Sequence, residues 1–270
     1  MAPRRTRVPR NVEGHVARKR YGQNFLADPH YVKRIADAIA PQPGERVVEI
    51  GPGLGALTGE LVARAGRIVA IEIDRDLAAR LRARYAPDQL ELVVGDALEV
   101  DLAPLGTDLR VVGNLPYNIS SPILFRLAAQ APALRDVTVM LQKEVVARMT
   151  AEPATAEYGR LTVMLEATFA IERLFVVPPG AFRPAPKVDS AVARLTPLRG
   201  ADKPAIRDFA RFERVVAAAF SQRRKTLRNA LSSLVTPAQF AAAGIDPQRR
   251  GETLSVREFV ALSDAPAATA

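Results

Sequence analysis

Between Arg46 and Gln142 short apolar runs largely alternate with segments whose apolar residues recur at helical spacing. The apolar runs are Arg46–Ile50, Arg67–Ile73, Gln89–Val94, Leu109–Gly113 and Val137–Gln142. Helices are expected over Leu54–Ala65, Asp76–Tyr85 and Pro122–Gln130, with a further one from Lys143. Strands separated by helices lie parallel, because each connection crosses one face of the sheet. The fold class read from this alternation is α/β, a doubly wound parallel sheet, with Glu172–Val177 and Ser190–Thr196 as its last strands. Ligands in such sheets bind beyond the C-terminal strand ends. Gly51, Glu72, Asp96 and Asn114 all fall there.

Other segments follow different patterns. Asp28-Pro29 opens a helix, with Asp as its cap and Pro in its first turn. Val32, Ile35, Ala36 and Ile39 give that helix its apolar stripe, and Pro41-Gln42-Pro43-Gly44 ends it. After Pro197 the alternation stops and Gly200 to Pro204 reads as a linker. Ile206, Phe209, Phe212, Val215, Val216 and Phe220 then recur at helical spacing. Pro237–Ala243 and Ser255–Leu262 are further helices, the latter with a Ser255/Glu258 capping box. The expected organisation is a basic flexible arm over 1–20, an α/β domain over 21–200 and a small all-helical domain over 201–270, with 265–270 disordered.

Composition excludes several classes. A chain of 270 residues supports one large core and a smaller unit. It has no cysteine, which removes disulfides and thiolate metal sites, and only His15 and His30 remain for an imidazole site, so no metal is expected. No apolar run approaches the roughly 18–20 residues of a membrane helix. The basic start is not followed by a secretory apolar stretch, so a soluble, cytoplasmic protein without membrane contact is expected. An Arg-rich, acid-poor start also fits an organelle transit segment.

Charge is unevenly spread. Residues 1–40 carry nine Lys/Arg against three Asp/Glu, 41–180 carry 14 against 18, and 181–270 carry 15 against eight. A near-neutral centre flanked by basic segments suits a polyanion-binding enzyme. A solvated basic surface is the competing reading.

The run Glu49-Ile50-Gly51-Pro52-Gly53-Leu54-Gly55 allows a tight turn and close backbone approach to a ligand. Its Gly-x-Gly-x-Gly spacing is not the dinucleotide fingerprint. Glu72, about twenty residues on, stands where a carboxylate binds ribose hydroxyls. Asp96 could accept from an adenine amino group. About sixty residues after the turn comes Asn114-Leu115-Pro116-Tyr117. Asn offers an amide oxygen, Pro only a carbonyl acceptor, and Tyr a ring face. Two acceptors beside a stacking platform suit an exocyclic amine on a flat heterocycle, such as adenine N6. Together the four strand ends point to S-adenosylmethionine.

The sequence resembles the ribosomal RNA small-subunit adenine N6,N6-dimethyltransferases of the KsgA/RsmA type. The resemblance rests on Arg18 to Leu26, Val48 to Thr58, Ile71 to Asp74, Gly95-Asp96-Ala97, Asn114 to Ser120, Phe182 to Ser190 and Gln222 to Arg228. Order and spacing match from about residue 18 to 262. It implies a Rossmann-like methyltransferase sheet with a small C-terminal helical domain. It also implies that Asn24, Leu26, Gly51, Gly53, Glu72, Asp96 and Asn114 contact S-adenosylmethionine. Asn114 and the backbone around Leu115 and Pro116 would hold the target amine, while Tyr117 and Phe182 would stack on the extruded adenine. Arg18, Lys19 and Arg20, with Arg223, Arg224, Lys225 and Arg228, would contact RNA. The implied substrate is a hairpin near the 3′ end of 16S rRNA in an immature 30S-type particle, and the enzyme is expected to act as a monomer. Other readings are a large-subunit RNA adenine methyltransferase, a DNA adenine methyltransferase, which the Asn-Leu-Pro-Tyr form disfavours, a ribosome-assembly factor whose occupancy matters more than methylation and, more distantly, a NAD enzyme.

Overall fold

The computed structural model describes residues 11–18, 21–222 and 224–266. The chain opens with β1 (Asn11–Val12), β2 (His15–Val16), β3 (Phe25–Leu26) and α1 (Pro29–Ile39). Then come β4 (Val47–Ile50), α2 (Ala56–Ala65), β5 (Ile68–Glu72), α3 (Arg75–Arg84), β6 (Leu90–Val94) and β7 (Leu109–Asn114). These lead to α4 (Ser120–Ala129), β8 (Leu134–Gln142), α5 (Lys143–Met149), α6 (Arg160–Glu166), β9 (Phe169–Val177), β10 (Phe182–Arg183) and β11 (Ser190–Pro197). The rest is helical: α7 (Phe209–Ser221), α8 (Leu227–Ala230), α9 (Pro237–Ala242) and α10 (Val256–Asp264).

One seven-stranded sheet has the order β6-β5-β4-β7-β8-β11-β9, and β6 through β8 pair in parallel. All of β4 and the first five residues of β7 are buried, as expected for strands covered on both faces. The winding direction reverses between β4 and β7, which makes the crevice at their C-terminal ends the ligand position of a doubly wound sheet.

Local chemistry explains the flanking elements. The Asp28 carboxylate accepts from the His30 N–H at 2.9 Å, Pro29 takes the first turn, and Val32, Ile35, Ala36 and Ile39 are the buried face of α1. The last carbonyls of α1 meet a buried guanidinium. Arg110 Nη2 donates to the Ile39 carbonyl at 2.8 Å and to Asp136 Oδ2 at 2.8 Å, and Nη1 donates to Glu45 Oε2 at 2.8 Å. This network lies at the N-terminal end of β7.

The chain divides into two compact units: residues 1–123, 133–143 and 174–194 in the first, and 124–132, 144–173 and 195–270 in the second. The division differs from the expected break at residue 200. Tyr158, Val163, Met164 and Ala167 bury in one apolar cluster with Phe212, Val215, Val216, Phe240 and Phe259, so the helical unit recruits segments from earlier in the chain. The helix α6 inside that recruited stretch was not among the expected elements.

Residues 11–18, expected to be part of a flexible arm, are instead folded. β1 and β2 pair antiparallel, Asn11 opposite Val16, and His15 and Ala17 are buried. Residues 1–10, Lys19, Arg20 and 267–270 lie outside the described residues. Ala265, expected in a disordered tail, is buried, and its carbonyl accepts from Gln239 Nε2 at 2.9 Å. No helix among the described residues is long and apolar enough to cross a membrane.

Candidate active site

The glycine turn from β4 into α2 places Gly51, Gly53 and Gly55 at φ +69°, +60° and +82°, a region that side chains disfavour. A Cβ added at Gly53 would lie 3.0 Å from the Phe25 ring. Beyond the turn opens a cleft of about 1100 Å³, including its open mouth, within the first unit. Tyr21 to Phe25 form one wall, Gly51, Gly53 and Glu72 the second, Asp96 to Leu98 the third, and Asn114 to Ile119 the fourth.

Glu72 ends β5 and is 4% exposed. Its Oε2 accepts from the Gly53 N–H at 3.1 Å and its Oε1 from the Asp74 N–H at 2.8 Å. Burial raises its pKa, and the backbone donors partly offset this. Asp96 spends one oxygen on its own turn, accepting from the Leu98 N–H at 2.9 Å.

Asn114 Nδ2 donates to the Asn24 carbonyl at 2.9 Å. A carbonyl only accepts, so this bond fixes which end of the amide is the oxygen. Tyr117 lines the same wall, and its hydroxyl pairs with Ser190 Oγ at 2.6 Å. Burial pushes the Tyr117 phenol up.

Four of the expected site residues sit differently from the simplest reading of the motifs. The Pro116 carbonyl already accepts from the Ile119 N–H at 3.2 Å and from Ser120 Oγ at 3.1 Å, so it is not the spare acceptor. Phe182 is 0% exposed and packed in the core, where it pairs antiparallel with Leu26, so its ring offers no face to the cleft. The Leu26 side chain is likewise buried in the core behind the glycine turn, so a contact from Leu26 to the cofactor would have to come from its backbone. Arg18 is half-buried and already ion-paired with Asp74, at 3.0 Å, and with Asp76. Of the second basic run, Arg224, Lys225 and Arg228 are exposed, and Arg223 lies outside the described residues.

Sequence reasoning missed three contributors. Glu49 is wholly enclosed behind the turn. Burial pushes its carboxyl up to about 7, against a hydrogen bond from Thr58 Oγ1 at 2.7 Å that lowers it, while the nearby Glu72 raises it further. Ser190 supports Tyr117 from a distant strand. Gly113 lets β7 run against β4. A glycine inside a strand, next to a site motif, was the available signal of close approach.

A family model for ribosomal RNA adenine dimethylase matches residues 14–267. The chain is 60% identical over 250 residues to the ribosomal RNA small subunit methyltransferase A of Aromatoleum aromaticum, covering 93% of this chain and 94% of that protein. Among solved structures it is similar to a dimethyladenosine transferase from Plasmodium falciparum, with a TM-score of 0.74 at 25% identity over 88% of this chain and 95% of that one. It is also similar to the 23S rRNA methyltransferase ErmE, with a TM-score of 0.66 at 31% identity over 90% and 99% of the two chains. The chain belongs to the ribosomal RNA adenine dimethylase family.

Proposed function

We infer that this protein is an S-adenosylmethionine-dependent methyltransferase that converts two adjacent adenosines, in a 3′-terminal hairpin of small-subunit rRNA, to N6,N6-dimethyladenosine. The observation that carries this reading is the Asn114–Asn24 hydrogen bond, which leaves the Asn114 amide oxygen as an acceptor at the end of β7.

The cleft fits the cofactor. A buried carboxylate at the end of β5 suits ribose hydroxyls. Left-handed glycines let the backbone approach, and Asp96 retains an oxygen for an adenine amine. S-adenosylmethionine supplies a methyl on a sulfonium leaving group, so no nucleophile is required of the protein.

The chain's own residues bind and orient the base. Asn114 Oδ1 accepts a hydrogen bond from one N6–H. The Leu115 carbonyl, which has no hydrogen-bond partner among the described residues, accepts from the other. Paired in this way, the amine becomes more pyramidal and frees its lone pair. Extruding the adenine costs a few kcal/mol. Stacking on Tyr117 offsets about 1–3 kcal/mol of that. Exposed Arg224, Lys225 and Arg228 contact RNA phosphates. The substrate particle is an immature small subunit, and the enzyme works as a cytoplasmic monomer.

The test is methyl transfer from labelled cofactor to small and large subunits from cells lacking the modification, followed by nucleoside analysis. Dimethyladenosine in the small subunit alone is the expected result. Label in the large subunit would move the substrate to 23S rRNA. Absence of label with cofactor bound would overturn the catalytic assignment.

A further inference from the structure

The wall of the cleft formed by Tyr21 to Phe25 follows directly from the β1–β2 hairpin, and its attachment converges on one carboxylate. Asp74 is 0% exposed. Its Oδ1 accepts from Arg18 Nη1 at 3.0 Å and from the Asp76 N–H at 3.0 Å, and its Oδ2 accepts from Gln23 Nε2 at 3.1 Å. His15 Nε2 lies 3.7 Å from Oδ2 and 3.3 Å from Gln23 Oε1, which also accepts from the Arg18 N–H at 2.7 Å. Every polar neighbour that faces this buried carboxylate from the hairpin segment is therefore a hydrogen-bond donor or a cation. A buried charge is retained when it is satisfied in this way.

The same residue reaches the opposite wall through its backbone. The Asp74 N–H donates to Glu72 Oε1 at 2.8 Å. From Gln23 the segment continues to Asn24, whose carbonyl orients Asn114, and to Phe25, whose ring packs against Gly53.

We infer that Asp74 is a positioning residue: it clips the His15–Phe25 segment in place as a wall of the cofactor cleft while bracing Glu72 in the facing wall. The role rests on the cofactor reading above and extends it to a residue that need not touch the cofactor. Capping α3 is the simpler role for Asp74, since Oδ1 already serves the Asp76 N–H. Asp74→Asn separates the two. Asn caps a helix as well as Asp does, yet its amide cannot accept from Gln23 at the second position and carries no charge for Arg18.

The experiment uses the full chain and two readouts. Calorimetry with S-adenosylmethionine is expected to show dissociation constants raised roughly tenfold for Asp74→Asn and for Gln23→Leu. The double variant should be no weaker than the worse single one, because both break one connection. Hydrogen exchange without cofactor should show lost protection in residues 21–25 and unchanged protection in α3. A dissociation constant within twofold of the parent's overturns the inference, as do additive effects or unchanged protection of residues 21–25. Lost protection in the variants, with a parent protein that binds no cofactor, would leave the clip standing and overturn the cofactor reading instead.

Discussion

A Cβ placed on Gly113 would sit 2.5 Å from the Ile50 carbonyl oxygen. The two residues are register partners on β7 and β4, on either side of the crevice where the winding reverses. No flexible side chain is available to yield at that contact. Gly113→Ala should force the strands apart, costing about 1–3 kcal/mol of stability as overpacking. It should also weaken cofactor binding, because Asn114 and Gly51 are next in line on the two strands. Denaturant unfolding and calorimetry on one preparation would check both effects.

The amide of Asn114 has a second prediction attached. Asn114→Ala should lower kcat by roughly 100-fold or more, the scale seen when a positioned hydrogen-bonding group is lost, with a thermal midpoint near the parent's. Asn114→Asp should fare no better, since a carboxylate cannot donate to the Asn24 carbonyl. Single-turnover methylation of small-subunit RNA measures this directly.

The Tyr117 ring and hydroxyl have separable roles. Tyr117→Phe and Ser190→Ala each remove the 2.6 Å hydrogen bond but keep the ring, so activity should be largely retained. Tyr117→Ala removes the stacking face, and kcat/KM should fall by roughly 10- to 100-fold, matching a stacking term of about 1–3 kcal/mol. Equal losses in all three variants would reduce Tyr117 to packing.

Glu49 predicts a pH effect on stability. Its carboxyl titrates near 7 in the fold against an unfolded value of 4.5. The folded state therefore holds the proton more tightly. Its contribution is fully present below pH 4.5 and is lost as pH rises through 7. The difference amounts to about 3 kcal/mol at most. Glu49→Gln should remove that slope, so the variant gains on the parent between pH 5 and 8. Thermal unfolding of both proteins across that range is the measurement.

Exposed Arg224 and Lys225 should act on RNA alone. Reversing both charges should weaken RNA binding and reduce its salt slope by roughly one per lost phosphate contact, with cofactor affinity unchanged. Filter binding over a salt series would test this.

The parallel sheet was legible because its strands are mostly apolar and alternate with segments of helical spacing, and helices such as α1 and α10 carry side-chain caps in Asp28 and Ser255. The strand-end residues were legible because topology alone sends Gly51, Glu72 and Asn114 to one edge. Features that depend on non-local partners were not. The two-residue strands β1 and β2 carry no periodicity, and their segment is held through Asp74, more than fifty residues away. The run Leu161 to Leu165 in α6 is buried on every side, so no polar face marked it as a helix. Phe182 follows the motif in sequence, yet its pairing with Leu26 turns it into the core. The Pro116 carbonyl looked available until the next turn folded back onto it.

The Arg110 cluster and Asn114 occupy opposite ends of β7, four residues and roughly 13 Å apart at ordinary strand rise. Along one strand, the residues that lock the sheet together are thus kept away from those that handle the base. Loops at the chemical end can drift, lengthen or exchange their target while the far end preserves the frame. A scaffold divided in this way offers protein engineers one end to redesign and another to leave alone.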